Sequence, residues 1–312
     1  MTDSTLGILA CLFTVLCWTV GTFAFTRASR ILDPSTVNRV RLLYALIILT
    51  LITSIAEGFS PLQLILKPSA DQFLWFGLSG LIGFTIGDYL YFHAFKILGG
   101  RRASVFISIA PAAALLSGMI LLGEHLSFIG IVGMAISICG ILMLSLSRTE
   151  KQEVLEEGHG LFVQGIVYAV LGSVCQGVGL VLSKKGFTML PHEIGALHAT
   201  WIRLAAATLS AYTVGIFRIN IVDEFKRVTF VAKNFEPVIT GTIVGPVLGV
   251  TFSLFAVTLI EVSVAQTILA LMPVSVTLVS ALLYKERVKF LSYLSVVLCI
   301  AGVVILVWRN AL

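Results

Sequence analysis

The chain has 312 residues, 58% of them hydrophobic and only 12% charged, with a formal net charge of +5. Mean hydropathy is +1.02. A soluble domain of this size carries far more charge on its surface, so a water-soluble globule is excluded. No basic run is dense enough for nucleic acid. The positive balance suits loops that face anionic lipid and the cytoplasm.

The chain opens on Met1-Thr2-Asp3-Ser4-Thr5, with no positive segment ahead of its first apolar run, so that run is expected to stay in the mature protein. Charge-free runs follow at Ser4–Thr26, Ala103–Gly123, Leu126–Ser147, Leu161–Ser183, Pro237–Ile260, Val262–Tyr284 and Phe290–Trp308, each of 19 to 24 residues. About 20 residues of helix cross a ~30 Å hydrocarbon core. Three more segments carry an interior charge: Ser35–Ile55 with Arg39 and Arg41, Gln72–Phe95 with Asp88, and Ile194–Phe217 with Arg203. The apolar–polar alternation of an outer-membrane barrel is missing. These ten segments predict an all-α membrane protein of ten transmembrane helices. Arg218–Glu236 is too polar to span, and Val228–Val231 within it fits the interface. Cys11, Cys17, Cys139, Cys175 and Cys299 all fall in apolar runs without metal-ligand spacing, which predicts packing residues and no metal.

The sequence repeats itself. At a shift of 162, Arg41 meets Arg203, Gly83 meets Gly245, Gly87 meets Gly249, Pro111 meets Pro273, Glu124 meets Glu286 and Gly140 meets Gly302. The first helix repeats at a shift of 158, with Gly7 on Gly165, Cys17 on Cys175 and Gly21 on Gly179. The matches favour Gly, Pro, Arg and Glu, which chance alignment of leucines would not. The predicted units are residues 1–147, a charged linker 148–160, and residues 161–312. Each unit holds five helices, and an odd number inserts the second upside down. Loop charges agree: Lys and Arg cluster after helices 1 and 3 in the first half, and after helices 7 and 9 in the second. Inverted repeats around a central site are a recurrent transporter plan.

The duplicated signature is Ala110-Pro111 to Glu124 and Gly140, then Met272-Pro273 to Glu286 and Gly302. With an Arg early in each second helix and small residues in each third, it resembles the EamA family of the drug/metabolite transporter superfamily. The resemblance covers nearly the whole chain. It implies two inverted five-helix repeats around a central cavity and a cargo among amino acids, other metabolites, drugs or sugars. Departures from the pattern are Lys285 where Gly123 stands in the first half, Gln176 as the mate of Trp18, and Val250 as the mate of Asp88.

Candidate residues follow from burial chemistry. Asp88 within an apolar segment must be paired, wetted or protonated. It reads either as a structural partner of Arg41 or as a site for a proton or a substrate amine. Arg41 and Arg203 read as contacts for an anionic group, as structural pairs or as snorkelling cations. Trp18, Tyr91, Gln176 and Gln266 are candidate cavity residues, with packing or helix bridging as the plain alternative. Pro111 and Pro273 bend helices 4 and 9, as hinges or as fixed kinks. Pro246 has no mate and predicts a more deformable second half. Glu124 and Glu286 end their helices and fit folding or gating.

The leading expectation is a secondary transporter of a small organic solute that works by alternating access in the lipid bilayer, with proton coupling open through Asp88. No cofactor is expected. No GxxxxGK[ST], HExxH or GxSxG occurs, which argues against ATP drive and against an enzyme. A receptor or scaffold is the alternative. The odd-numbered loops and the linker hold 16 Lys and Arg and the rest of the chain 5. This bias puts both termini outside the cytoplasm, whereas ten-helix relatives are generally described with both termini inside.

Overall fold

In the computed structural model, residues 3–146, 159–189, 194–213, 220–284 and 290–308 are described, and they contain helices and turns with no strand. Ten long helical units follow in chain order. They are α1 (Asp3–Ile31), α2 (Pro34–Glu57), α3 (Ala70–Gly100), α4 (Arg102–Leu122) and α5 (Phe128–Leu146). The second half repeats them as α6 (His159–Phe187), α7 (Ala196–Thr213), α8 (Ala232–Leu259), α9 (Val262–Leu282) and α10 (Phe290–Trp308). Seven of the ten are long and apolar enough to span by length and composition; α5, α7 and α10 are the shorter ones. The expected linker 148–160 lies mostly outside the described residues, but its last two positions, His159 and Gly160, already belong to α6.

The outer surface confirms the solvent. Ile55, Ile120 and Leu282 are each at least 80% exposed, a pattern suited to acyl chains and costly in water. Two short helices lie outside the ten. Pro61–Leu66 starts on a capping box from Ser60, and Ile221–Thr229 starts on Asn220, whose side chain accepts the Asp223 N–H. The polar stretch before α8 is therefore a short amphipathic helix running into the first turn of α8.

The halves pair about a pseudo-two-fold axis that the packing displays directly. Gly21 on α1 faces Gly245 on α8, and their repeat mates Gly179 on α6 and Gly83 on α3 face each other likewise. Cβ atoms added at Gly21 and Gly179 would stand 3.9 and 3.3 Å from the opposing Cα atoms. Small residues at these crossings let backbones approach, which is the main source of attraction between helices in lipid. Helices α5 and α10 also pack closely along their length. There a Cβ on Gly140 would strike the Cys299 backbone nitrogen at 2.8 Å, and one on Gly302 would strike that of Ser137.

Helices α3 and α8 each contain a π-helical stretch, Leu81–Gly87 and Ile243–Val250. These are repeat-equivalent positions. Pro246 lies within the stretch of α8, and Phe84 occupies the equivalent step of α3. Helix α4 tightens to a 3-10 turn at Phe106–Ile109 immediately before Ala110-Pro111. Helix α9 breaks between Val262–Leu269 and Met272–Tyr284, immediately before Pro273. In both helices the proline sits in the first turn of the resumed helix, where its missing N–H costs least.

Candidate functional site

Seven helices, drawn from both halves, enclose a cavity of about 100 Å³. Aromatic side chains dominate its wall: Trp18 and Phe25 from α1, and Phe84, Tyr91, Phe92 and Phe95 from α3. Arg41, Asp88 and Gln176 supply the polar groups, and Gly245, Pro246 and Val250 the opposite wall. Ile107 and Met272, at the breaks in α4 and α9, also line it. The bends expected from Pro111 and Pro273 therefore border the cavity, although the prolines themselves are buried behind it.

The polar centre is built from three helices. Asp88 is the first residue after the π-helical stretch of α3. Arg41 of α2 donates to its Oδ2 and makes a buried ion pair. Gln176 of α6 donates to its Oδ1 at 2.8 Å. Arg41 is itself held by Asn38, whose Oδ1 accepts from Nε at 3.1 Å and Nη2 at 2.9 Å. Asn38 in turn donates to the Phe84 carbonyl at 3.1 Å. The Arg41 guanidinium also lies over the rings of Phe25, Phe84 and Phe92, at 5.7, 5.7 and 5.1 Å from their centroids. A carboxylate and a guanidinium this deep need this degree of mutual satisfaction.

Arg203, the repeat mate of Arg41, is placed differently. It is 3% exposed, its guanidinium lies over the Phe84 ring at 4.5 Å, and its Nε has no hydrogen-bond partner. Phe84 is therefore flanked by two arginines. Asp88 lies within electrostatic reach of Arg203 as well, but no carboxylate among the described residues is within ion-pair distance of it.

The other sequence candidates divide. Trp18 lines the cavity and packs its indole nitrogen against Gly249. Tyr91 lines it while its hydroxyl pairs with Ser173 at 2.7 Å. Gln266 is buried outside the cavity wall and donates to the Gln176 carbonyl at 3.2 Å, so it bridges α9 to α6. His93 bonds the Tyr89 carbonyl at 2.8 Å and packs at a tilt against its ring. Glu286 lies outside the described residues.

Glu124 sits at an inter-half junction away from the cavity. Its Oε2 accepts the Val262 N–H at 3.1 Å, at the first turn of α9, where a carboxylate meets the positive end of a helix dipole. Lys184 of α6 pairs with Glu124 Oε1 at 2.8 Å and donates to the Ile260 carbonyl, also at 2.8 Å. Every residue of Val262–Leu269 is buried behind this junction. This junction lies at the end of the bundle that holds Asp3 and Trp308. The cavity residues of α1 and α3 run from the middle of those helices toward the opposite, basic end.

The family follows from the repeats that build this site. A profile of the EamA-like transporter family matches residues 5–146 and again 163–308. The chain belongs to the EamA-like transporter family. The two matched stretches of this EamA protein correspond to its two five-helix repeats. It is 25% identical over 138 residues to the uncharacterized inner membrane transporter YhbE of Escherichia coli K12, and equally to YhbE of Escherichia coli O157:H7 and of Shigella flexneri. Those matches span 44% of this chain and 42% of the relatives' length. One solved crystal structure aligns over 98% of both chains with a TM-score of 0.70 at 19% identity, a likeness of fold.

The sequence missed Phe84, Asn38 and Lys184. Phe84 looked like any apolar residue in its run. Its only signal was its register opposite Pro246, which places it at the same step of the repeat.

Proposed function

We propose that this EamA protein is a secondary transporter of a small organic solute and works by alternating access between residues 1–147 and 161–312. The observation that carries the reading is the cavity walled by both halves, with the Arg41–Asp88–Gln176 centre joining α2, α3 and α6. Repeat-equivalent crossings such as Gly21–Gly245 and Gly179–Gly83 give each half a conformation the other can adopt. In this reading the cavity is reached from the basic end, and the contacts of Glu124 with Lys184 and Val262 hold the other end shut. Transport then requires that junction to open and the basic end to close. The similarity to YhbE, an inner membrane transporter, supports an inner-membrane location for this chain too. The basic end faces the cytoplasm by the distribution of Lys and Arg.

Asp88 is the residue through which protons would couple, since protonation removes the negative charge that holds Arg41. Reconstitution into proteoliposomes tests the reading. Saturable, counterflow-competent uptake of a metabolite is expected, with flux altered by an imposed pH gradient. The absence of saturable flux with acidic, basic and neutral metabolites would sink it, and would favour a receptor.

A further inference from the structure

The short helix Ile221–Thr229 lies at the basic end and grips the first half along one face. Glu224 accepts from Arg39 Nε at 3.0 Å and from the Thr36 hydroxyl at 3.0 Å. Thr229 shares a hydrogen bond of 2.6 Å with the Tyr44 hydroxyl. Phe225 packs edge-on against the Tyr44 ring, with centroids 5.7 Å apart, and Val228 is fully buried. Residues 224, 225, 228 and 229 form one face of a 3.6-residue helix. Val222, Asp223, Lys226, Arg227 and the C-cap residue Phe230 therefore form the other. That outer face is exposed, with Val222 at 58% and Phe230 at 77%. Lys233, in the first turn of α8, is exposed beside it, because Asn234 donates to the Arg227 carbonyl at 2.9 Å and folds α8 back onto the helix end. Among the described residues, no ion pair engages Lys226, Arg227 or Lys233. Glu224 and Glu236 are already paired with Arg39 and Arg27, which leaves Asp223 alone against three cations.

The repeat supplies a comparison. At the shift of 162, residues 61–66 meet 223–228, so the helix Pro61–Leu66 is the counterpart at the opposite end of the bundle. Its outer residues Leu62, Ile65 and Leu66 are apolar and more than half exposed. The cation next to it, Lys67, lies over the Phe59 ring at 4.0 Å. Both helices offer apolar surface to a bilayer interface, but the one at the basic end adds a cluster of unpaired cations. We propose that the outer face of Ile221–Thr229, together with Lys233, docks anionic phospholipid. Lys226, Arg227 and Lys233 hold the headgroup phosphates, and Val222 and Phe230 enter the acyl boundary. Val222, Lys226 and Phe230 are spaced four apart and form a stripe along the helix. The Lys226 stem can thus lie among apolar groups while its ammonium reaches the headgroups. A soluble anion would meet the cations but leave Phe230 in water, where its exposure is costly. The helix belongs to the second half, and Glu224 binds α2 of the first only two residues from Arg41, so a bound lipid bears on both halves at once. This inference does not rest on the transport reading.

Quenching of tryptophan fluorescence by brominated lipid tests this in the reconstituted full chain. With the native tryptophans replaced by phenylalanine, Phe230→Trp reports on the basic end and Leu66→Trp on its counterpart. Dibrominated phosphatidylglycerol and phosphatidylcholine with identical chains are the probes. Phe230→Trp should be quenched by both, with phosphatidylglycerol preferred about fivefold at low salt and the preference lost at high salt. Leu66→Trp should be quenched without preference. Lys226→Gln, Arg227→Gln and Lys233→Gln combined should abolish the preference at Phe230→Trp and leave its quenching by phosphatidylcholine. No quenching at Phe230→Trp, equal quenching there by the two lipids, an equal preference at Leu66→Trp, or a preference that survives the triple substitution would each overturn the inference. If the tryptophan-free chain does not fold, hydrogen exchange of the unaltered chain in nanodiscs decides. Residues 221–229 should then exchange several-fold more slowly with phosphatidylglycerol present than in phosphatidylcholine alone, with residues 61–66 unchanged. Equal exchange of 221–229 in the two lipids would overturn the inference.

Discussion

Gly140 and Gly302 occupy the two symmetric halves of one helix crossing: a Cβ on Gly140 would press on the Cys299 backbone at 2.8 Å, and a Cβ on Gly302 on that of Ser137. Cys299 and Ser137 are themselves repeat mates. The α5–α10 crossing is thus isologous within one chain. It bonds the halves far from the cavity, where Cys299 also approaches the Ser137 carbonyl at 3.7 Å.

Gly302→Val is therefore expected to be destabilising. Neither backbone can yield without separating the helices, and overpacking of this kind costs about 1–3 kcal/mol. Thermal unfolding in detergent should show a lower midpoint, with Gly302→Ala intermediate. An unchanged midpoint for both would mean that α5 and α10 are not fixed against each other.

Asp88→Asn should both abolish flux and lower stability, since it leaves Arg41 buried without its counter-ion. Removing one partner of a buried pair costs about 3–5 kcal/mol. Adding Arg41→Gln to it should restore part of the stability and none of the flux. A double-mutant cycle on unfolding free energies checks this; additive effects would show that the two groups do not interact.

Lys184→Met should loosen the closed end. Glu124 would keep its bond to the Val262 N–H but lose its cation, and Ile260 would lose a donor to its carbonyl. Maleimide labelling of an Ile260→Cys variant should be several-fold faster in the Lys184→Met background. Equal rates would show that Lys184 holds nothing shut.

Pro111→Ala should slow turnover more than it weakens binding. The helix would be free to extend back through the 3-10 turn at Phe106–Ile109, moving Ile107 on the cavity wall. Steady-state flux against equilibrium binding of the same solute separates the two effects. A normal rate would make the bend a fixed feature of the bundle.

Orientation is open to a direct measurement. In a background without native cysteines, an impermeant maleimide applied to intact cells should label Gln63→Cys, in the short helix at the end with the termini, and spare Val222→Cys at the basic end. The reverse pattern would overturn the orientation drawn from the Lys and Arg distribution.

Much of this architecture is legible in the sequence because lipid imposes simple rules. Every backbone group must bond within its own helix, so each span announces itself as a long charge-free run. Gene-scale repetition preserved Gly, Pro, Arg and Glu at fixed shifts, which exposed the five-plus-five plan and its inversion. The prolines at 111 and 273 marked the breaks in α4 and α9, though not the 3-10 turn that one break adopts.

The sequence alone determined that Asp88, Arg41 and Arg203 must be accounted for inside the bilayer, because charge there is costly wherever it lies. Only the tertiary structure decided how. Hydropathy and register say nothing about rotation around a helix axis, and that rotation turned Arg41 onto Asp88 and Asn38 and sent Arg203 to the far side of Phe84. Two residues equivalent in sequence thereby received unequal partners. Likewise, Glu124 could be seen at a helix end, but its bonds to Val262 and Lys184 span 138 and 60 positions, and only the packing of one half against the other brings them together.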